Sequence, residues 1–135
     1  MKRAALFTLA VLLLAGCSHA PEMDPTLLET SSVSLTVKGK SLFVFDEETS
    51  QMSWDGGKRS FRAGNDDMTS YFILTCADLP HEDGQILKAD IFWKTGGSLK
   101  NRSDVAFQVG KTDLASGQVW LWSSSEKIGA VIRIF

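Results

Sequence analysis

The sequence predicts an all-β domain, and three observations carry this prediction. From Ser32 to the end of the chain, short runs of alternating apolar and polar residues recur with the period of two that half-buried strands have. Turn-forming residues separate these runs at intervals of about 8–12 residues. No segment in this part of the chain has the apolar spacing of an amphipathic helix.

The predicted strands of the first half are short and are joined by tight turns. In the first of them, Val33, Leu35 and Val37 alternate with polar residues. The segment 55–58, Asp-Gly-Gly-Lys, is typical of a hairpin loop because Asp-Gly and Gly-Gly pairs adopt the positive φ angles that such turns require. The runs predicted here are 32–37, 41–45, 51–54 and 59–63.

The second half repeats this pattern with longer strands. In the run 86–94, one predicted face is apolar and consists of Leu87, Ala89, Ile91 and Trp93. The other runs are 70–76, 105–109, 118–123 and 128–135. Eight or nine short strands at this spacing favour an antiparallel β-sandwich, with a small closed β-barrel as the alternative.

The first sixteen residues have the composition of a secretory signal peptide. Lys2 and Arg3 precede an apolar run over 4–15, and this run ends in small residues. It is shorter than the about 20 residues that a helix needs to span a bilayer. The segment closes with Leu14-Ala15-Gly16-Cys17.

These four residues resemble the lipobox of bacterial lipoproteins at every position. The resemblance implies that Cys17 receives a diacylglyceryl group and becomes the first residue of the mature chain when residues 1–16 are removed. By the same family rules, Ser18 in place of aspartate implies an outer-membrane location, with the periplasmic and surface faces both open. The resemblance covers only the first 17 residues, so it implies a cellular location and a membrane anchor but no activity.

We expect the rest of the chain to form a lipidated flexible tether, residues 17–31, and one β domain, residues 32–135. Without Lys2 and Arg3, the 14 basic residues become 12 against 16 acidic ones, which gives a net charge near −4. This acidic balance provides no electrostatic basis for binding nucleic acid, which normally needs a basic patch.

The sequence contains no catalytic signature. Cys76 has no disulfide partner once Cys17 carries lipid, and its apolar surroundings predict a buried thiol. His81 lies five residues further on and completes the one nucleophile–base pair that can be constructed. The acidic residues fall in predicted turns, where carboxylates typically cap backbone groups. We therefore predict no enzyme, no catalytic residues and no cofactor.

No metal or nucleotide site is predicted either. The cysteine and histidine spacings of zinc sites are absent. The segment Asn65-Asp66-Asp67 is a weak calcium candidate because it lacks the alternating aspartates of a calcium loop. Glycine-rich phosphate-binding motifs are also absent.

The tryptophans are the one feature that indicates binding. Trp120 and Trp122 are two residues apart in a predicted strand, so they share one face while Val119 and Leu121 share the other. In one interpretation, one of these pairs packs in the core while the other lies under a loop. Tryptophans that point outward form an aromatic surface suited to a sugar ring or to an apolar patch on a protein. The candidate ligand-binding residues are therefore Trp120, Trp122 and Tyr71, with Phe43 and Phe45 as extensions of the surface.

We therefore expect a lipid-anchored β-sandwich of the cell envelope that acts as a non-enzymatic interaction module or accessory subunit. A carbohydrate or small-ligand binding lipoprotein that uses the aromatic face is the alternative, and an enzyme or enzyme inhibitor is a weaker candidate. The expected partners are the membrane, through the lipid on Cys17, and an envelope protein or a glycan.

Overall fold

Nine antiparallel strands form a single sheet in the computed structural model, which describes residues 33–113 and 115–135. The predicted signal peptide, the tether and Cys17 lie outside the described residues. None of the described residues belongs to a helix that could cross a membrane. The strands are β1 Val33–Val37, β2 Lys40–Phe45, β3 Ser50–Asp55, β4 Ser60–Asn65, β5 Tyr71–Cys76, β6 Ile86–Thr95, β7 Ser98–Asp113, β8 Gln118–Ser123 and β9 Ile128–Arg133.

The order of strands in the sheet is β2-β1-β9-β8-β7-β6-β5-β4-β3. Strands β3 to β9 follow one another as an up-and-down meander, and β1 then pairs with β9, with Ser34 opposite Val131. The all-β prediction is confirmed. Of the two arrangements considered for it, the nearly closed barrel matches the single sheet. Alternation in a sequence specifies the faces of a strand but not its neighbours, so the β1–β9 pairing could not be predicted from it.

The barrel is incomplete between the two edge strands, β2 and β3, and we call this gap the seam. Every neighbouring pair in the order of nine strands is antiparallel, so β2 and β3 run in the same direction. Only residues 46–49 join them, so β3 continues along the barrel from the end of β2. At this corner, the carboxylate of Asp46 accepts hydrogen bonds from the backbone N–H and the hydroxyl of Thr49, at 2.8 and 2.6 Å.

A phenylalanine cluster fills the barrel behind the seam. Phe43 and Phe45 of β2 stack on each other at 5.3 Å, and Phe72 of β5 lies 6.4 and 6.3 Å from them. Phe61 of β4 packs against Phe72 at 6.0 Å. Phe43 and Phe45 are therefore core residues, and the hypothesis that they extend an outward aromatic surface is wrong. The segment Leu42–Phe45 is apolar on both of its faces, so the sequence did not indicate which face turns inward.

Candidate functional site

The outward faces of β8, β9, β1 and β2 carry an uncharged row of residues. The strand register places Trp120 opposite Val131, Val131 opposite Ser34, and Ser34 opposite Val44. A second row runs through Trp122, Gly129, Thr36 and Ser41, with Leu42 beside it at the irregularity between β1 and β2. We call these two rows, with Leu42, the outward apolar surface.

Exposure along this surface falls from the edge strand to its centre. On β2, Val44 is 56% exposed and Leu42 is 39% exposed. The two tryptophans are partly buried, while Val131 and Ser34 are fully buried. The Ser34 hydroxyl has no hydrogen-bond partner among the described residues, and an unsatisfied buried group of this kind costs about 1–3 kcal/mol. The centre of the surface is thus withdrawn from water, although it lies on the outside of the barrel wall.

The core residues of β8 explain why its tryptophans point outward. Val119 and Leu121 are buried among the core side chains, at 2% and 0% exposure. Because side chains alternate along a strand, Trp120 and Trp122 must lie on the opposite face. The structure therefore places the two tryptophans outside the core, where they are partly buried.

Tyr71 lies apart from these two tryptophans. It is on β5, opposite Lys94 of β6, and its ring lies 5.9 Å from the ring of Phe92. Strands β6 and β7 separate β5 from β8 in the sheet. The structure therefore brings Trp120 and Trp122 together but places Tyr71 in a separate aromatic pair.

The two residues of the candidate nucleophile–base pair have different surroundings. Cys76 is buried in the core, and burial raises the pKa of its thiol from 9.0 to about 12, so the reactive thiolate does not form at neutral pH. His81 is exposed, and its Nδ1 lies 2.8 Å from the carbonyl oxygen of Leu79. Its Nε2 lies 3.9 Å from the carboxylate of Glu82. Both ring nitrogens of His81 thus lie near groups of its own loop.

The acidic turn residues cap backbone groups in the manner that the sequence predicted. The carboxylate of Asp83 accepts hydrogen bonds from the backbone N–H and the hydroxyl of Thr112, at 2.7 and 2.9 Å. Asp67 accepts from the N–H and hydroxyl of Thr69, and these bonds lower the pKa of its carboxyl group.

The calcium candidate at 65–67 finds no geometric support. The amide of Asn65 is hydrogen-bonded to Thr69 and to the backbone of Ser70, and Asp67 bonds to Thr69. Within the described part of the chain, no group of three or more histidine, cysteine or acidic residues is placed to hold a metal ion.

A cavity of about 610 Å³ opens beside the edge strand β3, between it and residues 133–135, and the sequence analysis did not predict it. We call it the seam cavity. This volume falls within the range of about 300–1,000 Å³ that small-molecule sites occupy. Its lining includes Glu47, Met52, Trp54, Phe61, Arg133 and Phe135.

Comparison with known proteins identifies no relative. No protein-family model matches the chain, no curated protein matches it, and no solved structure matches it. Its function is therefore inferred from the geometry of its own residues.

Two sequence signals point to the seam cavity in retrospect. Arg133 interrupts a final strand that is otherwise apolar, and Trp54 is the one aromatic residue in a polar strand. Both residues break the local pattern of their strand, and such breaks often mark functional positions. Their common cavity was not predictable because β3 and β9 lie at different positions of the sheet, and no local pattern shows that they line one cavity.

Proposed function

We propose that this chain is a lipid-anchored, non-enzymatic interaction module of the bacterial cell envelope, and that its outward apolar surface contacts a protein partner. The observation that supports the proposal most directly is the row formed by Trp120, Val131, Ser34 and Val44, in which Val44 is exposed and Trp120 is partly exposed. Four adjacent strands contribute to this row, and none of its side chains is charged. Contiguous uncharged surfaces with aromatic residues are typical of protein contact sites.

The composition of the surface matches that of an interface centre. Tryptophan is enriched among the residues that dominate binding energy, and each such side chain buries about 150–250 Å². Leu42 and Val44 extend the surface to the free edge of β2, where they are accessible to a partner. The outward face of β6 is different, because Lys88, Asp90 and Lys94 alternate along it.

The predicted anchor fixes where such a partner is to be found. If Cys17 is lipidated, the tether of residues 17–31 holds the domain within about 50 Å of the membrane, taking about 3.3 Å per extended residue. The partner is then an envelope protein within this distance. Ser18 favours the outer membrane as the site of attachment.

One observation also favours the carbohydrate-binding alternative. Trp120 and Trp122 lie on the same face of β8, about 6.6 Å apart along the strand, which is a spacing that presents two indole groups to one ligand. A glycan that bound there would change the tryptophan fluorescence, and it would no longer do so with Trp122→Ala. An unchanged spectrum across a panel of envelope glycans would remove this alternative.

The protein-contact proposal is tested by comparing two variants of the full-length tagged chain. Val44→Asp places a charge on the outward apolar surface, and Ile86→Asp places the same charge at an exposed site elsewhere. Ile86 is 73% exposed, so it is a matched control for the loss of an exposed apolar side chain. Envelopes are solubilised after chemical crosslinking, and co-purified proteins are quantified by mass spectrometry.

We expect an envelope protein that co-purifies with the wild type and with Ile86→Asp but decreases at least tenfold with Val44→Asp. Equal recovery with both variants would exclude the outward apolar surface as the contact. Near-ultraviolet circular dichroism verifies that both variants retain the packing of the wild type.

A further inference from the structure

We propose that the seam cavity binds an anionic amphiphile, a molecule with one carboxylate or phosphate group and an apolar body. In this proposal Arg133 holds the anionic group, and Trp54, Phe61 and Met52 contact the apolar body. The site is separate from the outward apolar surface, and the inference does not depend on the proposed function.

Arg133 supplies a fixed positive charge at the cavity. Its side chain is 25% exposed, and its Nε donates a hydrogen bond of 3.3 Å to the carbonyl oxygen of Ser116. Its Nη1 forms an ion pair with the carboxylate of Glu47. A guanidinium group is charged at all physiological pH values, and its planar donors match a carboxylate or a phosphate. A group held in this way is preorganised for an anion.

Glu47 is a counter-ion that a ligand can replace. It belongs to the four-residue corner between β2 and β3, and its side chain is 50% exposed. When it leaves Arg133, its carboxylate can be hydrated at little cost, because half of the Glu47 side chain is already exposed to water. Arg133 is more buried than Glu47, so its charge is less well hydrated when no counter-ion is present. An incoming anion can act as this counter-ion while the Glu47 carboxylate turns to solvent.

The rest of the lining favours an apolar body on the ligand. Phe61 is buried, and Met52 and Trp54 point inward from β3 but remain partly exposed. The side chains of Met52 and Trp54 are not fully covered because β3 has a strand neighbour on one side only. On the opposite wall, the C-terminal segment is held by a hydrogen bond of 2.9 Å from the Ile134 N–H to the Gly117 carbonyl oxygen. Burying ligand surface here gains about 25 cal/mol per Å².

Binding is measured by saturation-transfer NMR and calorimetry with the full-length chain in zwitterionic nanodiscs, and empty discs serve as the blank. Octanoate, octyl phosphate and 2-naphthoate are the probes, and octanol is the neutral control. Octanoate and octyl phosphate represent lipid-derived anions, whereas 2-naphthoate represents free aromatic acids. We expect at least one anion to bind at least tenfold more tightly than octanol, and the preferred probe identifies the source.

Two substitutions are expected to act in opposite directions. Arg133→Gln removes the anion-binding group and should weaken binding at least tenfold. Arg133→Lys keeps the positive charge and should retain part of the wild-type affinity. Glu47→Gln removes the competing carboxylate and should strengthen binding several-fold. The matched controls are Arg62→Gln and Glu48→Gln, which change the same charges at exposed positions that do not line the cavity.

The proposal is overturned if no anion binds, if octanol binds as tightly as octanoate, or if Glu47→Gln weakens binding as Arg133→Gln does. Thermal unfolding of each variant verifies that a loss of binding does not come from a loss of fold.

Discussion

Arg133, the last residue of β9, forms an ion pair with Glu47 in the corner between β2 and β3. The pair connects the end of β9 to the corner between the two edge strands, which are not paired with each other in the sheet. It therefore has a structural role in closing the barrel as well as the proposed role in setting the charge of the seam cavity.

The first prediction concerns this ion pair and the stability of the barrel. Glu47→Gln leaves the charge of Arg133 mostly buried without its counter-ion, so we expect the free energy of unfolding to fall by about 1 kcal/mol at low salt. Urea unfolding measures this change. Glu48→Gln, in the same corner, should leave stability within about 0.5 kcal/mol of the wild type. Equal effects of the two substitutions would show that the pair does not hold the seam.

The second prediction concerns the phenylalanine cluster. Phe72 is fully buried and contacts Phe43, Phe45 and Phe61, so Phe72→Ala should lower the free energy of unfolding by about 3–5 kcal/mol. Phe92→Ala removes an equally large ring from the outward face and should cost clearly less. Chemical denaturation of the two variants side by side measures the difference, and a smaller effect at Phe72 would contradict the assignment of the core.

The third prediction concerns the Cys76 thiol at alkaline pH. Burial raises the pKa of this thiol from 9.0 to about 12 in the folded chain. Its contribution to stability is therefore complete below about pH 9 and is lost as the pH rises from 9 towards 12. We expect the wild type to lose more stability than Cys76→Ala between pH 8 and pH 10.5, as measured by urea unfolding. An identical decline in both proteins would mean that the thiol is accessible to water.

The fourth prediction concerns the corner at Asp46 under acidic conditions. Hydrogen bonds from Thr49 lower the pKa of the Asp46 carboxyl group below 3.8. The stability that it contributes is present above this value and is lost as the pH falls through the lowered pKa. Asp46→Asn should therefore unfold at a lower temperature than the wild type at pH 7, and the gap should shrink at pH 2.5. A gap of constant size at both pH values would exclude the ionised carboxylate as its origin.

The faces of the regular strands could be predicted from the sequence. Leu87, Ala89, Ile91 and Trp93 form the buried face of β6 as expected, because a period of two assigns side chains to faces directly. The prediction of the inward face was less definite for strands that are apolar on both faces. In β8 the alternation between Val119 and Trp120 identified two faces but not which of them turns inward.

The contacts across the seam could not be predicted from the sequence. Arg133 lies far along the chain from Glu47 and Trp54 and meets them because β3 to β9 curve round and β1 adds to β9. This closure depends on which strands pair, and local patterns carry no information on pairing between the two ends of a chain. The outward apolar surface depends on the same β1–β9 pairing, so its two tryptophans could be identified but not their neighbours Val131 and Ser34.

The most direct test of the central claim is photo-crosslinking in living cells. A photoreactive amino acid is introduced into the full-length chain at Val44 or, as a control, at Ile86, and both products are analysed by immunoblotting and mass spectrometry. If the outward apolar surface is the contact site, position 44 should give an adduct of discrete mass that position 86 does not give. The same adducts at both positions, or none at position 44, would contradict the account.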